Sequence, residues 1–127
     1  MPSAQPSTCE KGKEGENKAA DYLAGKGFEI VTRNYRMKGG EIDIIAREGE
    51  SLVFVEVKSL PGGTAETLAS ELGPRKRSRI LRTAQYFLLE HPEYSSCLIR
   101  FDVIALDVPG LESICHMKAA FSESGIL

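Results

Sequence analysis

The stretch that decides the fold is GEIDIIAREGESLVFVEVK, residues 40–58. Two runs rich in Ile, Val and Phe flank Glu48-Gly49-Glu50-Ser51. Gly49 can take positive φ at the first central position of a two-residue turn, so the stretch predicts a β-hairpin. With the turn centred on Gly49 and Glu50, Ser51 pairs with Glu48, and counting back along both strands sets Asp43 opposite Glu56. Residues so paired have Cβ atoms roughly 4.5–5.5 Å apart, and like charges there destabilise a sheet unless something neutralises them. Along the second strand, period two puts Leu52, Phe54, Glu56 and Lys58 on one face and Val53, Val55 and Val57 on the other. Two carboxylates and one ammonium therefore converge on a small patch of sheet.

Around this hairpin the chain reads as one α/β domain. Residues 1–8 have the composition of a disordered lead-in, and Thr8 is a candidate helix cap. From Cys9 to Ala24 the spacing of Ala19, Ala20, Leu23 and Ala24 predicts a helix, stopped by Gly25 and Gly27. Phe28 to Tyr35 predicts a strand, and with Glu41 to Arg47 and Leu52 to Lys58 it makes an antiparallel meander. Leu60 to Ser70, with Pro61-Gly62-Gly63, reads as a flexible loop. Pro74 suits the first turn of a second helix with apolar positions Ile80, Leu81, Ala84, Phe87 and Leu88, ended by Pro92. Leu98 to Val108 alternates as a fourth strand, with Ile99, Phe101, Val103 and Ala105 on one face and Arg100 and Asp102 on the other. Glu112 to Met117 predicts a short edge strand, and 122–127 a loose tail, leaving 9–121 as the domain.

The composition fits this reading. The chain has 127 residues, 42% hydrophobic and 27% charged, with a formal net charge of -2. That suits a single globular core and argues against a protein that coats nucleic acid non-specifically, though not against a local basic patch. Cys9, Cys97 and Cys115 are odd in number and outside any zinc-ligand pattern, so disulfide and zinc readings both fail. No apolar run approaches the ~18 residues of a membrane span, which points to a cytoplasmic protein without a membrane partner.

The carboxylate pair dictates the chemistry to expect. Hard oxygen ligands with room for water favour Mg²⁺ or Mn²⁺, which take one or two protein carboxylates together with phosphate oxygens. Such an ion polarises a phosphodiester and lowers the pKa of bound water, the chemistry of a hydrolytic nuclease. Lys58, close to two anions, is expected to keep its proton and to orient water or stabilise phosphate charge. Glu16 lies on the helix stripe expected to face the sheet and is a third candidate ligand, whereas Glu14 points elsewhere. Arg75, Lys76, Arg77, Arg79 and Arg82 crowd the start of the second helix, where phosphate binding is the natural use and a solvated face the plainer one. Arg100 and Asp102 read as an ion pair. His91 and His116 read as structural, because no carboxylate or second His accompanies either at ligand spacing.

Glu16, then Gly40 to Asp43, then Val55-Glu56-Val57-Lys58, resembles in order the PD-(D/E)xK nuclease superfamily. More closely, the stretch from Gly12 to about Leu106 is similar to the bacterial YraN-like family. Gly12, Gly15-Glu16 and Ala19 match its opening helix, Asn34 and Tyr35 its first strand, and Phe54 to Lys58 its signature. Pro74, Lys76 and Arg100 to Ile104 match later features. Ile42 stands where a literal Pro-Asp dipeptide would have its proline, so the acidic position carries the inference. The resemblance implies a restriction-endonuclease-like α/β fold, a central mixed β-sheet flanked by helices. It also implies kinship with Holliday-junction resolvases and cleavage or binding of nucleic acid with Mg²⁺.

The expected function is a metal-dependent endonuclease acting on DNA, structure-selective if the kinship extends to substrate, using Asp43, Glu56 and Lys58 with Glu16 assisting. The alternatives are a non-catalytic nucleic-acid-binding module of the same fold and a protein-interaction scaffold with a vestigial acidic cluster. Cutting a junction would require two active sites and hence a homodimer.

Overall fold

A computed structural model describes residues 8–122 and 125–126, with side chains between residues 13 and 122. Helix α1 (Thr8–Gly25) leads into β1 (Glu29–Met37), β2 (Gly40–Glu48) and β3 (Ser51–Ser59). Helices α2 (Ala65–Glu71) and α3 (Pro74–Glu90) follow, then a 3₁₀ turn (Pro92–Tyr94) and strands β4 (Leu98–Leu106), β5 (Ile114–Ser122) and β6 (Gly125–Ile126). The expected disordered lead-in lies outside the described residues, apart from Thr8, which opens α1.

The strands form one sheet in the order β1-β2-β3-β4-β5-β6. The β1–β2–β3 meander is antiparallel as the hairpin reading requires, with Gly49 at φ +59 and Glu48↔Ser51 as the closing pair. β3 and β4 run parallel, from Ser51↔Leu98 to Ser59↔Leu106, and β5 and β6 return antiparallel, so the sheet is mixed. A parallel neighbour cannot be reached by a tight turn and needs a crossover of a dozen or more residues. Helices α2 and α3 supply it.

Helices cover both faces. Ala19, Ala20 and Leu23 of α1, with Phe28, bury Ile44, Ala46, Val53, Val55, Ile104 and Leu106. The Phe28 N–H donates to Leu23 O at 3.0 Å, and Gly27 at φ +93 makes that closure of α1 possible. On the other face, Leu68 of α2, Leu72 at its C-terminal cap, and Ile80, Ala84 and Phe87 of α3 pack on Ile42, Ile45, Leu52, Phe54, Phe101, Val103 and Ala105. The odd-numbered run from Phe101 to Ala105 thus faces the crossover helices, as its alternation predicts.

Three expectations are corrected. Ala65–Glu71 within the expected loop is helical: the Thr64 hydroxyl accepts the Thr67 N–H at 3.1 Å, and Leu68 and Leu72 enter the core. Two apolar residues one turn apart are too few to show a period beside Pro61-Gly62-Gly63. The edge strand expected to end at Met117 runs to Ser122. The expected loose tail is paired in part, with Phe121↔Ile126 and Ser122↔Gly125 in register.

Helix α3 lies close on β2 at Gly40. A Cβ there would overlap Thr83 Oγ1 and meet Arg79 O at 3.4 Å. Thr83 is buried, and its hydroxyl is already committed to Arg79 O at 2.7 Å, so little can yield. Tyr35 clamps the other end of α3, its ring edge-on to Phe87 and its hydroxyl donating to Glu90. Gly40→Ala is expected to cost about 1–3 kcal/mol through overpacking. Urea denaturation at constant m-value would measure it, and Thr83→Ala in the same chain should return part of the loss.

Candidate active site

Asp43 and Glu56 meet where the regular β2–β3 ladder stops. The paired register runs from Glu48↔Ser51 to Ile44↔Val55, and one step further the Asp43 carboxylate, Oδ2, accepts the Val57 N–H at 2.8 Å. Ile42 and Ile45 share one hydrophobic cluster while Ile44 and Ala46 share the other, so strict alternation in β2 breaks beside Asp43. The two carboxyl groups lie close enough for Glu56 to act directly on the ionisation of Asp43, and Lys76 of α3 reaches Glu56 from the helix.

Lys76 neutralises the pair. Its Nζ lies 2.9 Å from Glu56 Oε2, and Glu56 is only 5% exposed. Oε2 is buried, and this charged contact is its compensation. Burial penalises the Lys76 ammonium, yet the contact with Glu56 and the charges of Asp43 and Glu41 outweigh it and raise its pKa. Burial, then the hydrogen bond and charge of Glu56, push Asp43 from 3.8 up to about 8, against the opposing Val57 N–H and Lys76.

The other expected site residues sit elsewhere. Glu16 is buried, but its Oε1 accepts from Arg33 Nε at 2.9 Å and Asn34 Nδ2 at 2.8 Å. Among the described residues no group of three Asp, Glu, His or Cys side chains could hold a metal, so Glu16 does not complete a set with Asp43 and Glu56. Its helix packs on the opposite face of the sheet from α3. Lys58 shares the face of Glu56 as expected, but its Nζ is 3.0 Å from Glu71 Oε2, a residue the sequence did not single out. Lys76, expected on a phosphate-binding face, is the cation that reaches the carboxylates.

Of the remaining basic cluster, Arg77 turns inward and donates to Leu72 O at 2.8 Å. Arg75 and Arg79 are exposed and, with Ser70, Glu71, Gly73 and Lys76, line an open cleft of about 600 Å³. A second opening of about 400 Å³ is bounded by Arg75, Ser78, Arg79 and Arg82.

Arg100 and Asp102 pair as expected, in a bidentate contact of 2.8 and 3.0 Å. The structural reading of His116 needs one correction, since it does have a carboxylate partner: its Nε2 lies 2.8 Å from Asp102 Oδ2. The β4–β5 register shifts between Phe101 and Val103, and Ala119, at φ +50, donates its N–H to Asp102 Oδ1 at 3.0 Å. Burial opposes the Asp102 charge, but His116, Arg100 and the Ala119 N–H hold its pKa below the usual value.

The two buried acidic clusters therefore differ in kind. Asp102 has three partners, two of them on the neighbouring strand β5, whereas the buried Oε2 of Glu56 depends on one ammonium from α3. Two convergent carboxylates, hard oxygen donors, fit a small divalent cation that completes its shell with water or phosphate. Asp43 and Glu56 are the residues that could hold it.

Comparison with known proteins places the chain in a family. The model of the uncharacterised protein family UPF0102 matches residues 15–106. A UPF0102 protein of Treponema pallidum is 48% identical over 116 residues, covering 88% of this chain and 92% of its own length. One from Frankia casuarinae is 44% identical over 112 residues, covering 87% and 94%. One from Dechloromonas aromatica is 39% identical over 117 residues, covering 92% and 95%. The chain belongs to the UPF0102 family. This is the YraN-like group to which the order of Glu16, Asp43, Glu56 and Lys58 points. The matched span runs from the first buried turn of α1 to the last residue of β4, and so contains the carboxylate pair and Lys76.

The raised pKa of Asp43 has a consequence for stability. Between about pH 4 and about pH 8 the folded protein keeps a proton that the unfolded chain has released, so the native state binds more protons and stability falls as pH rises through that window. Asp43→Asn removes this contribution. With chelator present, the variant should be more stable than the parent at pH 8–9, with the gap closing toward pH 5. A series of urea unfolding curves over that range is the check.

Proposed function

We propose that this protein is a metal-dependent endonuclease that hydrolyses phosphodiester bonds in DNA. The observation that carries the reading is the convergence of half-buried Asp43 and buried Glu56, with Glu56 Oε2 held only by the ammonium of Lys76 at 2.9 Å. A binding module or scaffold does not need that arrangement, because facing like charges cost stability.

Asp43 and Glu56 would hold Mg²⁺ or Mn²⁺. When bound, such an ion supplies a polarised phosphodiester and a more acidic water. The protein's own groups do the rest. The Val57 N–H fixes the Asp43 carboxylate, so one ligand is oriented before substrate arrives. Lys76 neutralises Glu56 and lies at the edge of the cleft where Arg75 and Arg79 offer charge to backbone phosphates. Lys58, on the same face and held by Glu71, is placed to stabilise phosphate charge once that pair opens. Glu16 acts at a distance by anchoring Arg33 and Asn34 of β1; Asn34 lies between Arg33↔Ile44 and Tyr35↔Ile42, level with Asp43.

A second reading has an observation of its own. Glu16 and Lys58 are both engaged by other side chains, which favours a nucleic-acid-binding module without turnover. One experiment separates the two: labelled linear, single-stranded, flap and four-way-junction DNA, with matching RNA, incubated with Mg²⁺, Mn²⁺ or chelator. The endonuclease is expected to cut at least one DNA form with metal only, and Glu56→Ala to lower the rate by at least about 100-fold, the scale of losing a principal electrostatic group. Salt-sensitive binding that ignores chelator, with every substrate intact, would instead establish the binding module.

A further inference from the structure

The geometry points to Lys76 as an exchangeable ammonium. In the cation-free protein it neutralises Glu56, and on uptake of a divalent cation it leaves for a phosphate in the adjoining cleft. This rests on the metal reading above and adds to it a coupling between metal uptake and phosphate binding.

The two members of the pair are unequally held. Glu56 sits on β3 paired with Val103 of β4, and its side chain is 5% exposed, whereas that of Lys76 is 37% exposed. The lysine stem has four rotatable carbons and the carboxylate is fixed, so any change of partner falls to Lys76. The 2.9 Å contact ties Nζ to one carboxylate oxygen, and it lasts only as long as that oxygen's negative charge is free to attract the ammonium. A divalent cation at the same carboxylates removes that attraction and substitutes repulsion.

Lys76 also has somewhere to go. It lines the cleft bounded by Ser70, Gly73, Arg75 and Arg79, at the third position of α3, where backbone N–H groups and the helix dipole favour an anion. Glu71 is the carboxylate in that cleft, and Lys58 already neutralises it at 3.0 Å. For the same reason Lys58 is not the exchanging residue: its partner lies outside the Asp43–Glu56 pair.

Mn²⁺ binding, followed by the loss of the free-ion electron paramagnetic resonance signal, tests the competition. Lys76→Met is expected to bind Mn²⁺ about 5-fold more tightly or better, since a coupling of this type lies in that range, and Lys58→Met to bind as the parent does. The unaltered protein gives a second measurement that needs no variant to fold. Amine acylation mapped by mass spectrometry should rise at Lys76 when Mn²⁺ is added, stay level at Lys58, and fall again at Lys76 with a phosphorothioate oligonucleotide. Parental Mn²⁺ uptake with unchanged Lys76 labelling, unchanged affinity in Lys76→Met, or no renewed protection by the oligonucleotide overturns this inference alone. A parent protein that takes up no Mn²⁺ overturns the metal reading and this inference with it.

Discussion

Two carboxyl groups face each other at the inner end of the β2–β3 hairpin, and their mutual repulsion is the constraint around which this side of the molecule is arranged. Leaving such a pair uncompensated in a half-dry environment costs several kcal/mol, whereas a good ion pair does little more than break even. The compensation therefore specifies position more than it adds stability. It comes from a raised affinity of Asp43 for its proton and from the ammonium of Lys76, which is delivered by the helix lying over that face of the sheet. That delivery requires α3 to lie close over β2, which only a residue without a side chain at position 40 allows. A charge requirement, a glycine and a helix-packing distance are thus one problem.

The parallel pairing of β3 and β4 gives the same result from the topological side. Because parallel neighbours need a crossover, the chain must leave β3 after Ser59 and return at Leu98, and α2 and α3 occupy that path. The start of α3, with its arginines, is set down beside the end of β3, with its Glu56 and Lys58. Glu71, the last residue of α2, and Lys76, near the start of α3, then take one residue each of the strand motif. The short turn between the two helices forms a wall of the open cleft onto which Glu71 and Lys76 both face.

The opposite face carries a second buried acid whose contrast with the first is informative. Asp102 has Arg100, His116 and a backbone N–H around it, and Arg100 and Lys118 extend the network to Glu48. Tyr22 and Phe28 pack against the His116 ring, closing it beneath α1. A network in which every member is satisfied fixes a register. The Asp43–Glu56 cluster, on the neighbouring strands β2 and β3, has a buried oxygen held by a single ammonium from another element, and so has far fewer fixed partners than Asp102.

Much of the architecture was legible before any coordinates. The hairpin register, the periodicity of α1 and α3 and the alternation of β4 depend on contacts close along the chain, where side-chain period and turn chemistry act directly. Helix α2 was not legible, because its two core residues bear no period of their own and acquire meaning only against Val103 and Phe121. The extent of β5 and the partner of His116 were hidden because both are decided by pairing with β4. By itself, the sequence determined the hairpin register from Glu48↔Ser51 to Ile44↔Val55 and so brought Asp43 and Glu56 to the same end of the ladder, although Asp43 lies one residue beyond its regular pairing. Which cation would meet them was beyond it. Lys58 is two residues from Glu56 and Lys76 is twenty away, yet the crossover brings the distant one to the carboxylate and gives the near one to Glu71. Chain separation does not measure distance once a parallel strand pair has folded the chain back on itself, and only the tertiary structure could make that choice.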